Sequence, residues 1–499
     1  MMINSLLPIY NILIPYIIST IFIKYLGKEY IFISFQIIVI FYYSYISIFY
    51  YSKRIKYIIY QVIYILLIIN IICEEKIKKH DYIHAPRETI LELNVNRQKN
   101  IISNAYDCKI IGYNTILFKN MNRNITCFFK GDFNNSLIGK NIKAMGIIEE
   151  KKFKSHNYLI LSRAKVLEIS EPKGLRYKLS SELRSFIKSN LHQLSDKYDE
   201  VYSFLNAIFL GDRSRLTIEQ KLLFQYSGTM HLFAVSGLHI GFLYCFIYWS
   251  VFTFCKNKKI SLGICLGVLL VYLETIGYPA SSVRAYIMIF LWQTTKLIFK
   301  KSNTESSLAW ACLLILVFQP NQLFTIGFQL SFTVVFTLIK VFNQFDISST
   351  KNNLFIKYFL TSILTSYAAF CGSLLLIYDH FNIIVPGSIL INLLVVPIAM
   401  LIIVLILLGL ILLPTNTMLG IEIVIYEIYQ FLKTIIIFTT KSDFTFFKFQ
   451  NIYFVHDLFH LILPFLIYFI FELKYSIYTK LILLGFTPFF LLSMISIIQ

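Results

Sequence analysis

Runs of about 20 mostly apolar residues, each long enough to cross a bilayer as a helix, recur along this chain. Three open it: Leu6 to Tyr25, Tyr30 to Tyr51 and Tyr57 to Cys73. Ten more follow Gly228, at approximately 230–254, 260–276, 284–299, 306–320, 323–342, 355–378, 384–413, 417–438, 458–473 and 477–498. No water-soluble core hides that much apolar surface. The chain is 57% hydrophobic and only 15% charged, where soluble domains carry about 25% charged residues. A soluble enzyme, a disordered scaffold and a secreted disulfide framework are excluded. The first run lacks a basic leader and a small-residue cleavage site, so it reads as a span and not a removable signal. The expected fold is an α-helical polytopic membrane protein with membrane lipids as its surroundings.

One stretch breaks the pattern. Between residues 74 and 175 the apolar runs shorten and alternate, as in Ile90-Leu91-Glu92-Leu93-Asn94-Val95, with turn signals at Gly112-Tyr113-Asn114 and Gly139-Lys140-Asn141. Five or six short strands in about 100 residues predict a small inserted all-β domain, and an OB-like barrel is the right size. The basic loop Lys53-Arg54-Ile55-Lys56 assigns the preceding turn to the cytoplasm, so the β domain is expected on the outer face. Lys256-Asn257-Lys258-Lys259 and Lys300-Lys301 then recur where an alternating path returns to the cytoplasm. Residues 176–226 are helical in pattern but too polar to span, which suits amphipathic interfacial helices. The division expected is 1–73, 74–175, 176–226 and 227–499.

The net charge is +19, and residues 74–173 hold 18 basic against 11 acidic side chains. Such a balance favours anionic lipid or a polyanion. Basic and aromatic residues of the β domain that suit a nucleic-acid groove are Lys109, Tyr113, Lys119, Arg123, Phe128, Lys130, Lys143, Lys151, Lys152 and Lys154; a solvated charged face is the alternative reading. Cys108 and Cys127 in the same domain are candidates for a disulfide on an oxidising face, with two separate thiols as the alternative.

Polar residues inside apolar runs carry the chemistry. His231-Leu-Phe-Ala-Val-Ser-Gly-Leu-His-Ile-Gly241 holds two His, a Ser and two Gly in eleven residues, and such residues face a bundle interior or a wet cavity. His231 and His239 lie about 12 Å apart along an unbroken helix, too far for one metal ion, so no metal or other cofactor is expected. Residues suited to line a hydrated path are His231, Ser236, His239, Glu274, Arg284, Gln329, Ser331, Asp379, His380 and Asn392. Gly237, Gly241 and Gly327 suit close helix approach. Arg284 stands out for contact with phosphate; pairing with Glu274 is its alternative. No phosphate-binding GxxxxGK[ST] loop is present, so any ATP-driven motor is a separate protein.

Several ordered blocks carry a resemblance: Leu210-Gly-Asp-Arg-Ser214, Ser227-Gly-Thr-Met-His-Leu-Phe-Ala-Val-Ser-Gly-Leu-His-Ile-Gly241, Gly277-Tyr-Pro-Ala-Ser-Ser-Val-Arg-Ala285, Ile326-Gly-Phe-Gln-Leu-Ser-Phe332, and Pro386 to Pro397 with Asn392. Together they resemble the ComEC competence family, in a short form without the metallo-β-lactamase-like domain that many members carry. The resemblance implies a non-catalytic inner-membrane channel for single-stranded DNA, with a separate DNA receptor outside and a separate cytoplasmic motor. Whether one chain or a homodimer encloses the path stays open. Rival readings are a transporter of another anionic solute or envelope polymer, and a membrane-embedded hydrolase using Ser236 with His231 or His239.

Overall fold

The computed structural model describes residue 17 and residues 87–100, 105–113, 124–129, 141–153, 156–170, 175–195, 198–299, 304–345, 354–412, 420–440, 446–448, 457–473 and 475–498. The spans expected before residue 74 lie outside these, apart from Ile17. The chain divides into two compact units, one of Asp81–Val283 with Val385–Phe447, the other of Met1–His80, Arg284–Ile384 and Lys448–Gln499.

The first unit begins with five strands: β1 (Arg87–Asn100), β2 (Ala105–Tyr113), β3 (Asn124–Phe129), β4 (Asn141–Phe153) and β5 (His156–Ser170). They close into a barrel in the order β1-β2-β3-β5-β4, antiparallel except where β3 runs parallel to β5. The alternation read from the sequence sorts the side chains. Leu91, Leu93 and Val95 point inward with no exposed surface, joined by Ile125, Phe129, Ile142, Ala144, Leu161 and Ala164, while Glu92 between them is exposed. Gly146 on β4 faces a bulge on β5, where three steps from Lys165 to Ser162 oppose two from Met145 to Ile147. A β-carbon on Gly146 would lie 3.0 Å from the Ser162 carbonyl and 3.1 Å from Ala164 Cα, and Arg163 opposite takes a positive φ of 53°. Bulges of this kind bend a strand enough to close a small barrel.

Cys108 and Cys127 correct the disulfide expectation: both are free thiols, fully buried in the barrel core. Register explains it. Cys108 faces Ile125 and Cys127 faces Tyr106, so the two are diagonal neighbours, and diagonal pairs sit about 7–8 Å apart, beyond ordinary disulfide reach.

Three short helices follow: α1 (Leu175–Ser195), α2 (Asp199–Leu210) and α3 (Ile218–Tyr226). From Val201 to Leu210 every residue of α2 is buried. α1 packs against α2, α5 (Lys258–Ile276), α10 (Ser388–Leu412) and α11 (Ile421–Thr440), and α4 (Gly237–Cys255) packs against α5. The second unit holds most of α6 (Ala280–Phe299), then α7 (Thr304–Phe318), α8 (Ile326–Gln344), α9 (Leu354–Phe381), α12 (Asp457–Glu472) and α13 (Ile477–Ile498). Each of the ten apolar runs after Gly228 thus contains a helix. Among the described residues five are long and apolar enough to cross a membrane: α4, α5, α8, Ile356–Phe381 of α9, and α10.

The second unit buries charge at one end. Lys340 on α8 binds Glu305 of α7 at 3.2 Å, Asn343 holds the other carboxylate oxygen at 2.9 Å, and Lys480 donates to the Phe471 carbonyl at the end of α12. Ile17 packs against its α7–α8 core.

Free, enclosed thiols predict a redox-insensitive barrel. In the full-length protein, reductant should leave the melting temperature unchanged, and alkylation should reach Cys108 and Cys127 only on unfolding. A disulfide-linked peptide joining them in a native digest would contradict this.

Candidate functional site

The block from Ser227 to Gly241 does not form one helix. α3 ends at Tyr226, a short 3-10 turn covers Met230–Phe233, and α4 begins only at Gly237. The segment between is extended, with Ser236 at ψ 175°. Its carbonyls have left the helical ladder and need other donors.

Three of the other blocks supply them or pack against it. The Arg213 guanidinium donates to the Phe233 carbonyl at 2.8 Å. Ser281 and Ser282, at the start of α6, both donate to the Val235 carbonyl, at 2.8 and 2.6 Å. Gly228, with φ +73°, lies against the Pro386 block so closely that a β-carbon would fall 2.6 Å from Ser388 Cβ. Blocks more than 150 residues apart in sequence meet on one strand-like segment.

The segment's own polar side chains are arranged locally. His231 is exposed on the 3-10 turn, its Nδ1 3.1 Å from the Gly228 carbonyl. Ser236 caps α4, and His239 is buried with 1% exposure. The backbone N–H of Ser236 donates to His239 Nδ1 at 3.3 Å, and Ser236 Oγ lies 2.9 Å from the same nitrogen. A nitrogen that accepts from a backbone N–H carries no proton, so the neutral ring holds its proton on Nε2. That atom is buried without a hydrogen-bond partner. Asn392 Oδ1 on α10 is likewise buried and unpartnered.

Glu274, near the end of α5, accepts from the Tyr278 hydroxyl, and its backbone carbonyl accepts from Ser180 of α1 at 3.2 Å. The pairing of Arg284 with Glu274 is therefore corrected. In the second unit, Arg284 donates to the Gly327 carbonyl at 2.6 Å, at the start of α8. It is 3% exposed, its Nε has no partner, and no carboxylate among the described residues pairs with it. Gln329, also buried, donates to the Leu323 carbonyl at 3.0 Å. Ser331 sits half-buried on α8, and Asp379 and His380 are neighbours at the end of α9, 3.4 Å apart.

The predicted residues thus fall into two sets. His231, Ser236, Gly237, His239, Gly241, Glu274 and Asn392 belong to the first unit; Arg284, Gln329, Ser331, Asp379 and His380 belong to the second. Two glycines do not serve close approach: a β-carbon at Gly241 would meet open space, and one at Gly327 makes only ordinary contact with Arg284 at 3.7 Å. Gly228, Gly372 and Gly409 hold the tight crossings instead. Among the described residues no group of three His, Cys, Asp or Glu has the arrangement of a metal site.

On the barrel, Lys143 is flanked in register by Glu92 on β1 and Glu168 on β5, an acidic pairing that weakens its case as a phosphate contact. Phe128 is half-buried on β3. Lys109, Tyr113, Lys151 and Lys152 lie on strands β2 and β4, while Lys119, Arg123, Lys130 and Lys154 lie outside the described residues.

Residues not singled out from sequence hold the site together. Asp212, 6% exposed, accepts from Lys188 at 2.9 Å and from the Ser214 hydroxyl at 2.7 Å, with Arg184 at 3.9 Å. Burial alone raises a carboxyl, but Lys188, Ser214 and Arg184 outweigh it and hold Asp212 at about 2. The Leu210–Ser214 block was the available signal, and its role is to tie the α2–α3 turn to α1.

A family model described as "Competence protein" matches residues 208–477, more than half of the chain. Similar curated proteins include "ComE operon protein 3" of Bacillus subtilis (strain 168), 28% identical over 251 residues, which is 50% of this chain and 31% of that protein. An uncharacterized protein, MG316, of Mycoplasma genitalium is 30% identical over 142 residues, 28% of this chain and 36% of its own. An uncharacterized protein of Aquifex aeolicus is 27% identical over 187 residues, 37% of this chain and 42% of its own. The matches thus span between about a third and two fifths of those relatives. No solved structure matches.

Two substitutions follow from this geometry. Gly228→Ala adds a left-handed backbone penalty of about 1–2 kcal/mol to the Ser388 clash, so the melting temperature should fall clearly; an unchanged value would mean the crossing is loose. For Asp212 the folded value lies below the unfolded one. Its contribution, about 2 kcal/mol, is present above about pH 4 and lost as pH falls through about 2. Asp212→Asn should remove it at neutral pH and flatten the acid limb of the stability curve.

Proposed function

The chain belongs to the Competence protein family, and from that membership we propose that it is a multi-pass membrane channel passing single-stranded DNA to the cytoplasm during DNA uptake. The observation that carries this reading is Arg284. An ion taken out of water costs several kcal/mol unless it is paired, and Arg284 is buried with an unpartnered Nε and no carboxylate partner among the described residues. A passing phosphate supplies the missing charge and acceptor. The orphaned His239 Nε2–H and Asn392 Oδ1 suit a hydrated lining, since buried polar groups without protein partners are satisfied by water or ligand.

Orientation supports the rest. α4 and α5 are joined by the basic Lys256–Lys259 turn, which belongs in the cytoplasm. The opposite end of the pair then faces outward. Ser180 of α1 binds the Glu274 carbonyl at that end, and Tyr272 binds the Phe209 carbonyl of α2 there. The barrel ends only five residues before α1 begins, so it belongs on the outer face. Its strand order and the parallel β3–β5 pair suit an OB-like domain receiving the strand. A receptor outside and an ATP-driven motor inside are separate proteins in this reading.

The contact of Ser236 with His239 is also what a serine hydrolase requires. In such enzymes a carboxylate orients the far imidazole nitrogen, and His239 Nε2 has no partner. The pair reads as a helix cap.

Arg284→Gln should lower delivery of labelled DNA to the cytoplasm about tenfold or more, the scale of one lost charge-assisted hydrogen bond of about 1.5–3 kcal/mol. DNA should accumulate outside the membrane, and Arg284→Lys should recover part of the flux. Normal uptake by Arg284→Gln at equal protein level would reject the phosphate role.

A further inference from the structure

The first unit carries a cluster of cations of its own. On α1, Arg184 and Lys188 both face Asp212. The same turn carries Arg213 and Arg215, and Arg215 sits over the Tyr202 ring at 5.2 Å. Lys221 on α3 lies close enough to Arg213 that, after burial, repulsion between the two lowers its pKa further. Arg184 and Lys188 pair with Asp212 and Arg213 binds the Phe233 carbonyl, whereas neither Arg215 nor Lys221 forms a salt bridge among the described residues.

The setting is apolar. α3 exposes Ile218 and Leu222 on either side of Lys221, and α1 exposes Leu179, Leu183 and Phe186 along one stripe. All of this lies at the end of the first unit away from the Lys256–Lys259 turn, where Tyr272 fixes the end of α2. Topogenesis concentrates Lys and Arg on the cytoplasmic side, so Arg215 and Lys221, without a salt bridge among the described residues, suit an anionic partner at the opposite end.

We propose that α1, the α2–α3 turn and α3 form a binding site for the phosphate of an anionic phospholipid, with Arg215 and Lys221 as the headgroup contacts and the exposed Leu and Ile side chains against its acyl chains. Charge complementarity selects a phosphodiester. The rim is aliphatic at Leu179, Leu183, Ile218 and Leu222, with Phe186 its one aromatic among these, which favours a lipid over a nucleic-acid strand whose bases stack on aromatic faces. Assignment to the outer leaflet rests on the orientation proposed above; recognition of the headgroup does not.

The test uses the full chain in nanodiscs of phosphatidylcholine with and without phosphatidylglycerol, read by melting temperature and by lipid retained in native mass spectrometry. Phosphatidylglycerol should raise the melting temperature and be retained. The double variant Arg215→Gln, Lys221→Gln should match the parent in pure phosphatidylcholine and lose the rise. The charge-keeping variant Arg215→Lys, Lys221→Arg should keep it. The proposal is overturned by equal melting temperatures in the two lipids, by a rise that survives in the double Gln variant, or by protection from a single-stranded oligonucleotide in place of the lipid. No DNA uptake enters the measurement, so failure here leaves the channel reading standing, and failure of uptake leaves this one standing.

Discussion

A peptide group that leaves a helix inside a bilayer must still find a hydrogen-bond partner, because no lipid supplies one. The segment between Thr229 and Ser236 is where this chain meets that constraint. Its carbonyls at Phe233 and Val235 are capped by Arg213, Ser281 and Ser282. Those donors come from two other parts of the chain, so the break in the helix also fixes how α2, α4 and α6 begin or end relative to each other. Removing the polar donors would not merely weaken a loop. It would leave buried carbonyls unsatisfied, at about 1–3 kcal/mol each.

Buried cations are handled in two distinct ways. Lys340 meets Glu305, and Lys188 meets Asp212, each within 3.2 Å. Both pairs tie helices together: α7 to α8, and α1 to the α2–α3 turn. Among the described residues Arg284 has only the Gly327 carbonyl, and Lys480 likewise has neutral acceptors, the Gln344 side chain and the Phe471 carbonyl. A carbonyl satisfies a donor but leaves the net charge in place, so the local field stays positive.

Much of this was legible in the sequence. Ten apolar runs became ten helices because period and length both pointed one way, and strict alternation in Ile90–Val95 gave β1 its inward Leu91, Leu93 and Val95. The break near Ser236-Gly237 was visible as polar and small residues in an apolar run. What was hidden is pairwise. Nothing in the order of residues says that Arg213 seeks the Phe233 carbonyl, or that Gly228, not Gly241, stands against another helix. Cys108 and Cys127 looked like partners because both lie in a β domain expected on the oxidising face; a register two residues off kept them apart. The order of residues also does not show that Lys143 stands between Glu92 and Glu168 on the neighbouring strands.

The convergence on Val235 has an electrostatic consequence beyond packing. α4 begins at Gly237, α6 at Ala280 and α10 at Ser388. Ser281 and Ser282 bind Val235, and Ser388 abuts Gly228, so three helix starts gather around one segment. A helix start carries roughly half a positive charge from its unpaired N–H groups. Three of them add to a positive field around the segment without any formal charge. A conduit has to bind strongly enough to admit its cargo and weakly enough to release it. On the channel reading proposed above, partial charges fixed on a backbone suit a polymer that presents one phosphate after another, where a row of lysines would hold it.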